Sequence, residues 1–164
     1  MLRSLVVAAA LTIHLGAAVA TNFAIGTLPV APLTYSNVPS VAAGSFTDVY
    51  SFVFPASGAL GSAAAVSIDV GTVLDISSMQ VALLDSASSV LALGTVGDAS
   101  FLSNVAMTPG SAYSFRVTGT ALGSAGGTYA FLASATPVPE PGTLVTFVAG
   151  LAAVGSIIRR RQTA

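Results

Sequence analysis

The sequence predicts an all-β fold: an antiparallel β-sandwich ectodomain of jelly-roll type over residues 21–137, set between an N-terminal signal peptide and a C-terminal transmembrane helix. Three observations predict it. Short segments of period-two alternation recur through the middle of the chain, with Gly, Asp, Ser and Pro in the gaps. Four of the five arginines lie outside that stretch, at Arg3 and at Arg159 to Arg161, each group beside an apolar run. The 164 residues are 54% hydrophobic and only 7% charged. A soluble domain carries about 25% charged residues, so the chain is not one ordinary cytosolic domain.

The leader comes first, at residues 1–20. Met1-Leu2-Arg3 is a short positive start, Leu5 to Leu15 is an apolar run, and Ala18-Val19-Ala20 is a small-x-small cleavage site. A signal peptidase cutting after Ala20 leaves Thr21 as the mature N-terminus. The alternative is a retained anchor, since residues 4–20 approach spanning length. His14, inside the apolar run, reads as a tolerated polar residue in a discarded peptide.

Residues 21–137 number 117 and carry Asp48, Asp69, Asp75, Asp85 and Asp98 against the single Arg116, a net charge of −4. Thr21 to Ala43, with Pro29, Pro32 and Pro39, reads as an irregular lead-in holding one edge strand near Leu33 to Val38. The core is expected over about residues 44–135. Phe46, Asp48, Tyr50, Phe52 and Phe54 share one face of the next strand. Over 63–70, Ala64, Val66, Ile68 and Val70 oppose Ser67 and Asp69. Met79, Val81 and Leu83 alternate with Gln80 and Ala82, Tyr113, Phe115 and Val117 with Ser114 and Arg116, and Tyr129 and Phe131 with Ala130 and Leu132. Val90 to Leu93 and Ser100 to Met107 complete seven or eight strands, the spacing of a sandwich. A helix over Ala63-Ala64-Ala65 is the rival reading, opposed by flanking β-branched residues and glycine.

Chemistry is restricted by what is missing. Cys and Lys are absent and the one His lies in the leader. No Ser-His-Asp or Ser-Lys site can form, and zinc lacks its nitrogen and sulfur ligands. The expectation is a protein that is not an enzyme and needs no cofactor. With no basic patch, nucleic acid is not an expected partner. Calcium, which takes oxygen ligands, leaves Asp75, Asp85 and Asp98 as weak candidates, with Asp69 near another loop. None lies in a D-x-D-x-D run, and the plainer reading is turn-forming, solubilising residues. Asp48 differs, because it falls on the aromatic face of its strand, where an unpaired carboxylate is costly. Either the strand bulges there, or Asp48 accepts from a neighbouring turn or from Arg116.

The tail, residues 138–164, has three parts: Pro139-Glu140-Pro141, the apolar run Thr143 to Ile158, and Arg159, Arg160 and Arg161. Sixteen helical residues rise about 24 Å, and snorkelling arginines with Pro141 at the helix entrance extend the span towards the ~30 Å hydrocarbon core. The positive-inside rule keeps the arginines cytoplasmic and everything before Pro139 outside.

This arrangement, a Pro-Glu-Pro motif, an apolar helix and a terminal Arg cluster, resembles the PEP-CTERM sorting signal of Gram-negative bacteria over residues 138–161. The resemblance implies an exosortase as partner, cleavage near Pro139, Glu140 and Pro141, transient anchoring in the inner membrane through 143–158, and delivery to the cell surface or extracellular matrix. A permanent single-helix anchor is the alternative outcome. The ectodomain resembles pre-peptidase C-terminal (PPC-like) sandwiches in its order of features, from Asp48-Val49-Tyr50-Ser51-Phe52 through Leu83-Leu84-Asp85 and Pro109 to Val117 to Tyr129-Ala130-Phe131. The Phe46-x-Asp48-x-Tyr50-x-Phe52 start is also similar to the F-x-D-x-F class of PEP-CTERM proteins. These resemblances imply an accessory module, and they leave contact with exopolysaccharide or calcium as the second function class.

Overall fold

The computed structural model describes residues 19–137, 146–147 and 149–151. Among them the strands are β1 (Val19–Thr27), β2 (Tyr35–Asn37), β3 (Ser40–Val41), β4 (Gly44–Val53), β5 (Gly58–Ser67), β6 (Ile76–Asp85), β7 (Val90–Leu93), β8 (Ala99–Ala106), β9 (Ala112–Ala121) and β10 (Gly127–Pro137). They form two sheets, one in the order β1-β4-β9-β6-β7 and one in the order β2-β10-β5-β8, with β3 also paired to β10. All named pairings are antiparallel except β1 with β4.

Aromatic alternation decides which faces meet. From β4 come Phe46, Tyr50 and Phe52, from β9 Phe115 and Val117, from β6 Met79, Val81 and Leu83, and from β10 Tyr129 and Phe131, all buried. The rings stack between the two sheets, as Tyr50 with Phe131, and along the first sheet, as Phe52 with Phe115. Tyr50 lies 4.0 Å from Phe131 and Phe52 4.7 Å from Phe115, centroid to centroid. Such pairs contribute about 0.5–1.5 kcal/mol each beyond the area they bury. Two glycines make this close packing possible. A Cβ on Gly119 would meet the Phe46 ring at 2.8 Å, and one on Gly126, at φ +93°, would meet the Val41 carbonyl oxygen at 2.1 Å.

Three differences from the sequence reading have physical causes. The segment read as an irregular lead-in begins with a nine-residue strand, β1. It joins the edge of the first sheet parallel to β4 and lays Phe23 on Tyr50 at 4.7 Å. The expected edge strand at 33–38 is present as the shorter β2. In β5 the inward face is inverted. Ala63 and Ala65 are buried, whereas Val66 in the strand and Ile68 and Val70 just beyond it face solvent at 38%, 40% and 55% exposure. Large rings from β4 and β10 already fill the interior, so β5 fits only with its smallest side chains turned in. The strands read at 45–54, 79–83, 113–117 and 129–131 have the predicted faces inward.

The leader cleavage site lies partly outside the described residues, since Ala18 is not among them and Ala20 is an exposed residue of β1. The sorting residues Pro139, Glu140 and Pro141, the arginines Arg159 to Arg161 and most of the expected span 143–158 also lie outside them. Within that span the described residues are helical, with Phe147 and Leu151 exposed. Among the described residues no helix is long and apolar enough to cross a membrane.

Candidate functional site

Among the described residues, a buried carboxyl–phenol cluster is built by β4 and β10. Asp48, 1% exposed, follows the β4 alternation inward between Phe46 and Tyr50. Tyr129 enters from the opposite sheet, and its hydroxyl donates to Asp48 Oδ2 at 2.6 Å. Tyr50 and Tyr129 share a second hydrogen bond at 2.9 Å. A phenol carries one proton, so with Tyr129 donating to Asp48, Tyr50 must donate to Tyr129. Burial, and then the hydrogen bond to Asp48, push the Tyr129 phenol far above its ordinary range, and burial likewise raises Tyr50. Both therefore remain protonated donors. The cluster is incomplete, because Asp48 Oδ1 is buried without a hydrogen-bond partner.

The expected Asp48–Arg116 pair is corrected by the register. Across the β4–β9 ladder Asp48 is opposite Val117, while Arg116 is opposite Val49 and, on the other side, Ala82. Adjacent residues of a strand point to opposite faces, so Arg116 lies on the outer surface of the sheet and Asp48 in the core. Arg116 Nε is itself buried without a partner. Around it the outward rows carry Thr47, Thr118 and Gln80 on one side and Ser51 and Ser114 on the other.

Asp85 and Asp69 serve local turns, and Asp75 and Asp98 make backbone contacts to segments distant in sequence. Asp85 Oδ1 accepts from the backbone N–H of Ala87 at 2.9 Å and of Ser89 at 2.8 Å, closing the β6–β7 hairpin. Asp69 accepts from the Ser67 hydroxyl. Asp75 is engaged through its backbone, accepting from the N–H of Leu122 at 2.9 Å, and the Asp98 carbonyl accepts from Ser67 N–H at 2.7 Å. The calcium candidates Asp75, Asp85 and Asp98 are not brought together. Among the described residues no three acidic or histidine side chains gather at a point.

A cleft that sequence reasoning missed lies on the outer face of the second sheet. It encloses about 190 Å³ and is lined by Thr34, Ser62, Ala64, Phe101, Ser103, Leu132 and Ser134 with neighbouring backbone. The register explains it. Leu132, Ala64 and Phe101 form one cross-strand row, in which the small Ala64 leaves a notch between two large, exposed side chains. Exposed Phe101 is the only signal the sequence offered, and it became legible only once the β5 face was known.

Residues 137–162 match the PEP-CTERM protein-sorting motif. The match starts at Pro137, the last residue of β10. The motif implies exosortase-dependent sorting of an exported protein to the cell surface. In structure the chain is similar to the pre-peptidase C-terminal domain of a collagenase from Bacillus anthracis, with 19% sequence identity, a TM-score of 0.42, and coverage of 70% of this chain and 93% of that one. None of the curated proteins matches.

Proposed function

We propose that the chain is a non-enzymatic surface or extracellular-matrix protein whose defining biochemical event is its own processing. Signal peptidase removes residues 1–20 during export. The β-sandwich folds outside the inner membrane while residues 143–158 anchor it from behind and Arg159, Arg160 and Arg161 remain cytoplasmic. An exosortase then cuts near Pro139-Glu140-Pro141 and the ectodomain passes to the surface. The observation that carries this reading is the sorting-motif match at 137–162, which begins where the last strand ends. Proline lacks a backbone N–H and disfavours helix at the residue before it, which suits the extended backbone a protease needs in its substrate. The test is to express the full chain in hosts with and without an exosortase and compare C-termini. Release only with the enzyme supports the reading, and release in both hosts overturns it.

One observation favours a second reading, a carbohydrate-holding ectodomain. The outer cleft joins an exposed aromatic ring, Phe101, to the hydroxyls of Thr34, Ser62, Ser103 and Ser134. A ring face and a row of hydroxyls suit a sugar's apolar face and its hydroxyl edge. Co-sedimentation of the exported protein with native exopolysaccharide, with and without calcium, tests it.

A further inference from the structure

We propose that removal of the leader completes the polar cluster of the core, the new α-ammonium of Thr21 supplying the missing donor to Asp48. The proposal rests on the reading that cleavage falls after Ala20. Asp48 has one carboxyl oxygen held by Tyr129 and the other buried and unpartnered. An unsatisfied buried acceptor costs about 1–3 kcal/mol, so a donor in reach is strongly selected by the fold.

The register brings that donor to it. In the β1–β4 ladder the Cα partner of Asp48 is Thr21, and two residues on, Phe23 partners Tyr50. The Phe23 ring stacks on Tyr50 with an interplanar angle of 15°, so the Phe23 side of β1 faces the core. Thr21, two positions away, lies on that side of β1 at its exposed end. Paired strands run about 4.8 Å apart and the amine is about 1.46 Å from its Cα, so the nitrogen starts within reach of the Asp48 side chain.

In the uncut chain this nitrogen is a planar amide. The chain continues through Ala20 and Val19 along β4, opposite Thr47 and Phe46, which fixes its direction. Hydrolysis of the Ala20–Thr21 bond consumes one water, sends a carboxylate away on Ala20, and leaves a protonated amine on Thr21. That group has three donors, carries a positive charge and turns freely about the N–Cα bond. No cationic side chain can substitute for it. The chain has no Lys, and the ectodomain's only Arg, Arg116, is on the opposite face of the sheet. Facing the same row are Val117 from β9 and the hydroxyl of Tyr129 from β10, with Tyr50 beside it. The single cation of the core side is thus generated by maturation, and the interior reaches its final hydrogen bonding only in the exported form.

The absence of Lys makes the test specific, since a processed chain holds one primary amine. The full chain is exported with its own leader, purified, and its amino terminus read by intact mass and sequencing. A start other than Thr21 overturns the cleavage reading and this proposal with it. With Thr21 established, acetylation by an amine-selective ester is timed in the folded protein and in denaturant. An ammonium held by a carboxylate reacts about tenfold more slowly in the folded state, and Asp48→Asn removes that protection to within about twofold. Equal rates in wild-type protein, or protection that survives Asp48→Asn, overturn the proposal while leaving the cleavage reading intact. If Asp48→Asn does not fold, wild-type protein acetylated in denaturant and refolded decides the matter. It is expected to melt about 4 °C lower than mock-treated protein, and an unchanged melting temperature overturns the proposal.

Discussion

Replacing Tyr129 by Phe removes a single oxygen from the centre of the domain, and the structure sets its cost apart from every other phenol. That oxygen donates to Asp48 at 2.6 Å and accepts from Tyr50 at 2.9 Å. A hydrogen bond to a charged group contributes about 1.5–3 kcal/mol and a neutral one about 0.5–1.5 kcal/mol, and here both partners lose a bond in the core. Tyr129→Phe is therefore expected to lose about 3 kcal/mol. Tyr50→Phe removes only the outer donor and leaves the Tyr129–Asp48 bond in place, so about 1 kcal/mol is expected. The difference, about 2 kcal/mol, is roughly a 30-fold difference in the folding equilibrium. Urea unfolding of the exported protein, followed by far-ultraviolet circular dichroism with unchanged m-values, measures both. Equal losses for the two variants, or a loss below about 1 kcal/mol for Tyr129→Phe, refute the directional chain from Tyr50 through Tyr129 to Asp48.

Other outcomes are expected at the positions singled out above. Asp48→Asn and Arg116→Ala should destabilise additively, within about 0.5 kcal/mol in a double-mutant cycle, because the register holds them on opposite faces of the sheet. Asp85→Ala should cost about 1–2 kcal/mol in the same urea titration by freeing two turn N–H groups, and calcium should not raise the melting temperature of either form. Phe101→Ala should leave stability within about 0.5 kcal/mol, the ring being 54% exposed, while lowering retention on exopolysaccharide in a co-sedimentation assay.

The central strands were legible because their contrast is strong. Phe46, Tyr50 and Phe52 on β4, Phe115 on β9, and Tyr129 and Phe131 on β10 alternate with small or polar residues, and all six are buried. The orientation of β5 was not legible. Ala63-Ala64-Ala65 carries no hydrophobic contrast, and its bulkier neighbours Val66 and Ile68 pointed the wrong way, because the deciding factor was the space left by rings from other strands. β1 was hidden for a different reason. Its pairing with β4 is parallel and between segments distant in sequence, and the three prolines that follow it, Pro29, Pro32 and Pro39, dominate the local pattern. Asp48 announced itself as an inward carboxyl, but its partner is Tyr129, 81 residues away. Only the fold joins them. The tail is the reverse case, a linear signal that is fully local, so sequence alone sufficed to find the motif matched at 137–162.

The tail is proposed above as a sorting signal that is used and then discarded. Mass spectrometry of protein recovered from the surface of an exosortase-bearing host tests it most directly. Trypsin cuts after Arg, and between Arg116 and Arg159 the sequence has no other Arg or Lys, so the C-terminal region of an uncut chain yields one peptide, Val117 to Arg159. Surface material is expected to lack this peptide and to end near Pro139-Glu140-Pro141. Recovery of the intact Val117 to Arg159 peptide from mature surface protein contradicts it.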